Sequence, residues 1–130
     1  MDIPSLCPFC RIPVSHAGQI IARNDVCYLV DNPEGSLRHG MMVIPFRHVE
    51  TPFDLTAEEW AATQPLIQEA QNRLTVADPD GFNLGWNVGK VAGQEVLHAH
   101  LHVFARFADE PYAGRGIRRW FKSEDNRRLG

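Results

Sequence analysis

Leu97 to Ala105 reads LHAHLHVFA. Histidines stand at 98, 100 and 102, with Leu97, Ala99, Leu101 and Val103 in the alternate positions. A period of two is the mark of an extended strand, in which residues two apart share a face. Val96 to Arg106 is therefore predicted as a strand with three imidazoles on one side and the apolar series toward the core. A strand rises about 3.3 Å per residue, so the outer two histidine Cα atoms stand about 13 Å apart. One zinc ion, with Zn–N bonds of about 2.0 Å, does not easily gather both outer rings. Three rings in a row suit divided tasks better. A histidine-rich strand facing water is the plain alternative, and strict alternation behind a Gly–Gln loop speaks against it.

The chemistry on offer is nucleophilic. A neutral imidazole is a good nucleophile near pH 7 because its pKa lies close by. Attack on phosphorus gives a phosphoimidazole that water can open. Neighbouring histidines can donate hydrogen bonds to the oxygens where charge builds. The loop before the strand, VAGQE, can add backbone N–H groups and the Gln94 amide.

The rest of the chain fits one small domain. Its 130 residues are too few for two comfortable domains. Hydrophobic content of 44% and charged content of 22% are ordinary for a globular chain. No apolar run approaches the roughly 20 residues that span a bilayer, and the acidic start MDIPSLCPFC does not read as a secretory signal. Three cysteines, an odd number, argue against a disulfide framework. A cytoplasmic setting is expected, with no membrane partner. Net charge is −3. Residues 114–130 carry Arg115, Arg118, Arg119, Lys122, Arg127 and Arg128 against Glu124 and Asp125, a balance of +4 that leaves −7 for residues 1–113. That basic segment can meet a polyanionic substrate, meet an acidic partner, or be a solvated face. A nucleic-acid-binding domain would be basic throughout, so no nucleic acid is expected.

Strand-like runs occupy 19–23, 26–31 and 40–46, separated by NDV and the turn-rich DNPEGSLRHG. FDLTAEEWAATQPLIQEAQNRL opens with a capping box, Thr56 and Glu59, flanked by Leu55 and Trp60 as a hydrophobic staple. Trp60, Ile67, Ala70 and Leu74 recur at helical spacing, and Pro65 predicts a kink or break. After the DPDG turn, Phe82, Leu84, Trp86 and Val88 alternate as a further strand. This order favours an α+β fold with a mostly antiparallel five-stranded sheet and one main helix.

HAHLHVF preceded by GQ resembles the signature of the histidine triad (HIT) family of nucleotide hydrolases and transferases. The likeness spans roughly residues 7–107 and includes Asp31-Asn32, MMVIP followed by Phe46-Arg47-His48, the helix, and Trp86-Asn87. It implies a HIT-like domain over 1–113, a basic C-terminal extension over 114–130, and a two-fold homodimer. It also implies roles: His100 as the nucleophile at the α-phosphate of a nucleotide, His102 on the phosphate, and Gln94 on the phosphate or leaving group. Asp31 would meet the ribose hydroxyls and Asn87 would line the phosphate pocket, with Ile20 and Leu29 bordering the base. Cys7 and Cys10 have zinc-knuckle spacing. Bacterial members of the family complete such a set with two histidines, which implies structural Zn²⁺ on Cys7, Cys10, His48 and His98. The implied substrate is an adenosine-type nucleotide, a diadenosine polyphosphate or a nucleoside phosphoramidate, with Mg²⁺ as a companion of polyphosphate. Transfer to a sugar phosphate, and zinc-stabilised nucleotide binding without turnover, are the rival functions.

Two positions depart from the family pattern. His39 precedes Gly40 where the family has Gly-His, and a one-residue shift turns a strand side chain to the other face, so His39 is not expected in the site. Glu95 stands where a Ser or Thr is usual, and a carboxylate beside phosphate is repulsive unless protonated or turned away. It can serve as an acid or point to solvent. Cys27 is expected as a buried thiol and His16 as an exposed residue. GRGIRRWFK, with Trp120, can cover the base, reach the polyphosphate, or form dimer contacts.

Overall fold

The computed structural model describes residues 6–32 and 39–129. Residues 33–38, the middle of the DNPEGSLRHG loop, lie outside the described residues, as do the first five and the last. The elements run α1 (Pro8–Ser15), β1 (Ile20–Arg23), β2 (Cys27–Asp31), β3 (Gly40–Pro45), α2 (Ala57–Leu74), β4 (Gly81–Trp86), β5 (Leu101–Arg106) and α3 (Ile117–Lys122), with short 3₁₀ turns between. The strands form one five-stranded sheet in the order β1-β2-β3-β5-β4, every pairing antiparallel. Among the described residues no helix is long and apolar enough to cross a membrane.

The two faces of the sheet build two cores, as alternation requires. Cys27, Leu29, Met41, Val43, Leu101, Val103 and Ala105 face α2, whose Leu66, Ala70 and Leu74 cover them. Tyr28, Val30, Met42 and Ile44 face the other way and meet Cys7, Phe9 and Cys10 of the α1 region. The predicted inward series of the histidine strand is thus the α2 face. Cys27 is fully buried, and burial first, then the Glu59 charge, pushes its thiol up to about 12.

The helix departs from expectation in two ways. It runs unbroken for 18 residues through Pro65, which lies exposed, so no break occurs there. Its buried stripe is Glu59, Thr63, Leu66, Ala70 and Leu74, one residue away from the expected Trp60 and Ile67. Glu59 can turn inward because its charge is answered. Arg47 Nε and Nη2 each donate to its carboxylate at 2.8 Å, and Oε1 also accepts from Thr56 N at 2.9 Å. Thr56 Oγ1 accepts from Glu59 N at 3.0 Å, completing the capping box. Arg47 holds the Glu59 carboxyl below the usual carboxylate range, chiefly through these hydrogen bonds. Trp60, displaced outward, is 47% exposed and leans edge-on against Trp86, with centroids 5.6 Å apart. On β4, Phe82 and Trp86 pack on the core as expected, but Leu84 is 51% exposed. β4 is an edge strand, and α2 packs mainly on β2 and β3.

Glu59 serves as N3 cap and buried ion-pair partner together, whereas Thr56 serves only the cap. Glu59→Ala should therefore lower the unfolding free energy by about 2 kcal/mol, with half-exposed Arg47 limiting the loss, and Thr56→Ala by about 1 kcal/mol. Urea titration checks both, and equal losses would refute the double role.

Candidate functional site

The histidine segment is strand only from Leu101 onward, a correction to the expected start at Val96. The cause lies in its neighbours. Leu101 pairs with Val43 on one side and Trp86 on the other, and these are the last rungs of both ladders. Beyond Val43 the chain reaches Pro45, whose carbonyl accepts from a ring nitrogen of His98 at 2.8 Å, not from a strand amide. Ala99 N donates to Val49 O at 2.7 Å. His98 and His100 thus stand on a bent lead-in, and only His102 stands on β5.

The three rings nevertheless have different partners. His98 is fully buried. Pro45 O can only accept, so His98 Nε2 carries the proton and Nδ1 is bare. That Nδ1 lies 3.4 Å from Cys7 Sγ and 3.4 Å from Cys10 Sγ, while Cys10 Sγ is 3.1 Å from His48 Nδ1. The four donor atoms of Cys7, Cys10, His48 and His98 all lie within 4.8 Å of one another and can hold a metal ion. Tetrahedral zinc with bonds of about 2.0 and 2.3 Å separates sulfur and nitrogen donors by about 3.5 Å, so the spacing suits the donor set. The His98–carbonyl bond is the outer partner that a ligating imidazole commonly has. Burial first, then the bond to Cys7 and its charge, pushes the Cys10 thiol up to about 12. A cation among the sulfurs would reverse that preference.

His100 is held differently. Its Nδ1 lies 2.7 Å from the His98 carbonyl, so Nδ1 carries the proton and Nε2 keeps a free lone pair. Burial lowers its pKa, outweighing the hydrogen bond to His98 that raises it, and the ring stays neutral. Phe9 meets it edge-on with centroids 4.9 Å apart, and so does His102, also at 4.9 Å. His102 in turn stacks on Phe104 at 5.3 Å. Burial, then the His100 charge, pushes His102 down to about 4. Its Nδ1 is buried without a partner. A buried N–H lacking an acceptor is costly, so the proton sits on Nε2 and His102 offers a donor.

The other expected residues divide. Gln94 is buried, and its carboxamide is committed to backbone: Oε1 accepts from Gly89 N at 2.8 Å, and Nε2 donates to Glu50 O at 2.6 Å and Val96 O at 3.2 Å. In that arrangement it shapes the loop ahead of the triad. Gly93 in that loop has φ +98°, a conformation that asks for glycine, and it lies beside Asn87, whose Nδ2 a Cβ there would meet at an ordinary 3.5 Å. Gly85 pairs with His102, and Asn87 follows two residues on, half-buried beside Gly93. Asp31 pairs with Met41, whose side chain belongs to the α2 face, whereas His102 pairs with Met42 on the opposite face. Asp31 therefore stands on the wrong side of the sheet for the expected ribose contact; the next residue, Asn32, continues the ladder through its amide to Gly40 O. Leu29 likewise belongs to the α2 core, while Ile20 packs with the α1 side. His39 turns away, its ring on Phe107 at 5.1 Å, as the shifted Gly-His order implied. Glu95 and His16 are exposed. Sequence reading overlooked Phe9 and the Pro45 carbonyl. Only the first left a signal, an aromatic between two paired cysteines.

Residues 15–109 match the HIT domain family model. A Mycobacterium tuberculosis protein called AP-4-A phosphorylase is 36% identical over 110 residues, covering 79% of this chain and 55% of that protein. Adenylylsulfatase HINT3 of Arabidopsis thaliana is 34% identical, covering 77% and 52%. The chain thus spans about half the length of these two relatives. Protein HitA of Neisseria gonorrhoeae is 31% identical, covering 75% of this chain and 92% of its own. The crystal structure of a HIT family protein from Bacillus anthracis superposes with a TM-score of 0.69 at 29% identity, covering 81% of this chain and 76% of that one.

Acid should expose the buried neutral rings. His102 titrates near 4 when folded and near 6.5 in the open chain, so the unfolded state binds more protons between those values and stability rises with pH across that window. His102→Asn should flatten the dependence of unfolding free energy on pH from 4 to 6.5. Urea titrations at stepped pH test this, and an unchanged slope would show that His102 is not buried neutral.

Proposed function

The chain belongs to the HIT family, and on that premise we propose that it is a nucleotide hydrolase or transferase acting at the α-phosphate of an adenosine-type nucleotide through His100. One observation carries the reading: the His98 carbonyl accepts a hydrogen bond from Nδ1–H of His100, which keeps the proton on Nδ1 and leaves Nε2 bare on a neutral ring. The Nε2 lone pair attacks the α-phosphorus and forms an N–P bond while the bond to the leaving oxygen or nitrogen breaks with its electron pair. Water then attacks the same phosphorus and gives up one proton to solvent, which balances the proton that the departed group takes up; the N–P bond breaks, and the lone pair returns to Nε2. His102, with its proton on Nε2, supplies a donor to the phosphoryl oxygens as charge grows. Asn87 is a second candidate on the same side, and Gln94 acts through the loop it holds. A diadenosine polyphosphate or a nucleoside phosphoramidate fits this chemistry, and relatives named for AP-4-A and for an adenylylsulfate-type substrate support the adenosine preference. Mg²⁺ would accompany only a polyphosphate.

Transfer to an anionic acceptor, inorganic phosphate or a sugar phosphate, is the second reading, favoured by a relative called a phosphorylase. Zinc is the proposed occupant of Cys7, Cys10, His48 and His98. When bound, it cross-links the N-terminal turn to the lead-in of β5 and, with four protein ligands, serves structure. The unpaired outer edge of β4, with exposed Leu84 and the nearby Trp60–Trp86 pair, supports pairing of two copies.

Protein quenched during turnover of diadenosine tetraphosphate should carry an adenylyl mass on the peptide containing His100. His100→Gln should lose the adduct and on the order of a thousandfold or more in rate. Hydrolysis by the wild type under single-turnover conditions without an adduct would eliminate the covalent route, and an unaltered His100→Gln protein would favour a binding role without turnover. Metal analysis should find about one zinc per chain, with chelation lowering the melting temperature. A zinc-free chain that melts at the same temperature would remove the structural metal.

A further inference from the structure

Phe9 lies between Cys7 and Cys10 in sequence and is buried. Its ring is wedged between two histidines given different tasks. It meets His98 edge-on, with centroids 6.0 Å apart and planes at 81°, and His100 with centroids 4.9 Å apart and planes at 75°. Its backbone is tied as firmly: the Tyr28 hydroxyl donates to Phe9 O, and Cys10 N donates to Cys7 Sγ at 3.4 Å across it. Tyr28 is itself fully buried on β2. A ring fixed by the cysteine turn and the sheet leaves little freedom to the imidazole it touches.

We propose that Phe9 is a positioning residue for His100: it sets the plane of the imidazole and so carries the order of the cysteine turn to the reacting nitrogen. The proposal rests on the reading of His100 as the nucleophile. The physical argument is one of constraint. Among the described residues the His100 ring has a single hydrogen bond, through Nδ1 to the His98 carbonyl, and one bond leaves rotation about its own axis open. Two steeply inclined rings, Phe9 and His102, each with its centroid 4.9 Å from that of His100, restrict that rotation. His102 stands on β5 and is steadied by Phe104. Phe9 is the only one of the two supplied by a segment remote from the triad in sequence. Edge-to-face contact is directional, whereas an aliphatic side chain of similar bulk fills the space without fixing the plane. A lone pair turned away from the line of attack loses rate without loss of substrate binding.

The experiment compares the zinc-loaded wild type with Phe9→Leu, which keeps the site apolar, and Phe9→Tyr, which restores an aromatic edge. Zinc content should be unchanged in all three. Phe9→Leu should lower kcat by about tenfold on diadenosine tetraphosphate with KM little altered, and Phe9→Tyr should recover most of it. Substrate-free NMR of the His100 ring supplies a readout apart from activity. In Phe9→Leu the ring-current displacement of the His100 carbon-bound protons should vanish and their signals broaden. Unchanged kcat and unchanged His100 signals in a folded, zinc-loaded Phe9→Leu would overturn the proposal, as would a rise in KM alone. Should the NMR change appear while no adduct forms on His100 in any of the proteins, Phe9 positions the ring and the nucleophile reading fails instead.

Discussion

The imidazole of His98 is the joint on which this molecule turns. One nitrogen donates a hydrogen bond to the carbonyl of Pro45, the last residue of β3, and the other faces two sulfurs from the N-terminal turn. Its backbone carbonyl then fixes the tautomer of His100. A single residue thus ties the start of the chain to the sheet and sets the position of the proton on the His100 ring. Removing that side chain would free three partners at once, and a buried carbonyl without a donor is among the costlier losses a fold can suffer.

The order of rings follows from that joint. His48, His98, Phe9, His100, His102 and Phe104 touch in succession, all but the last pair steeply inclined to one another. One end meets the sulfurs and the other lies on β5. Strand geometry alone would have set the three histidines evenly along a ladder. The proline at the end of β3 prevents this, because it cannot donate to a neighbouring strand and its carbonyl is taken by a side chain. The lead-in therefore bends, and the bend delivers His98 to the cysteines while His100 stays beside His102.

Much of the architecture was legible from short-range pattern. Short apolar runs between turn-rich loops identified β1, β2 and β3, alternation identified β4 and the body of β5, and Thr56 with Glu59 marked the start of α2. Both signals act over a few residues. The four sulfur and nitrogen donors came from spacing together with family likeness, and the structure brings them together. What failed depended on partners far along the chain. Nothing near Glu59 announces that Arg47 will neutralise it, so the stripe of α2 read one residue too late at Trp60 and Ile67, while Ala70 and Leu74 are buried as expected. Asp31 was placed by its neighbours in sequence, but only its pairing with Met41 reveals which face it occupies. Gln94 looked like a donor to substrate because a free amide invites that reading; its three backbone partners lie in the loop and at Glu50. α1 and α3 are short, and neither carries a strong periodic signal.

The shared employment of position 98 has an evolutionary corollary. Cys7, Cys10 and His48 serve a junction whose fourth member also props up the reacting ring through its main chain. The main-chain service survives any substitution at 98, and the Nε2 bond to Pro45 O holds with or without the sulfurs. Drift should therefore discard or retain positions 7, 10 and 48 as one heritable block, with the imidazole at 98 kept for the Pro45 carbonyl. The imidazole at 100 lies outside that block and is free to persist in lineages that have shed it.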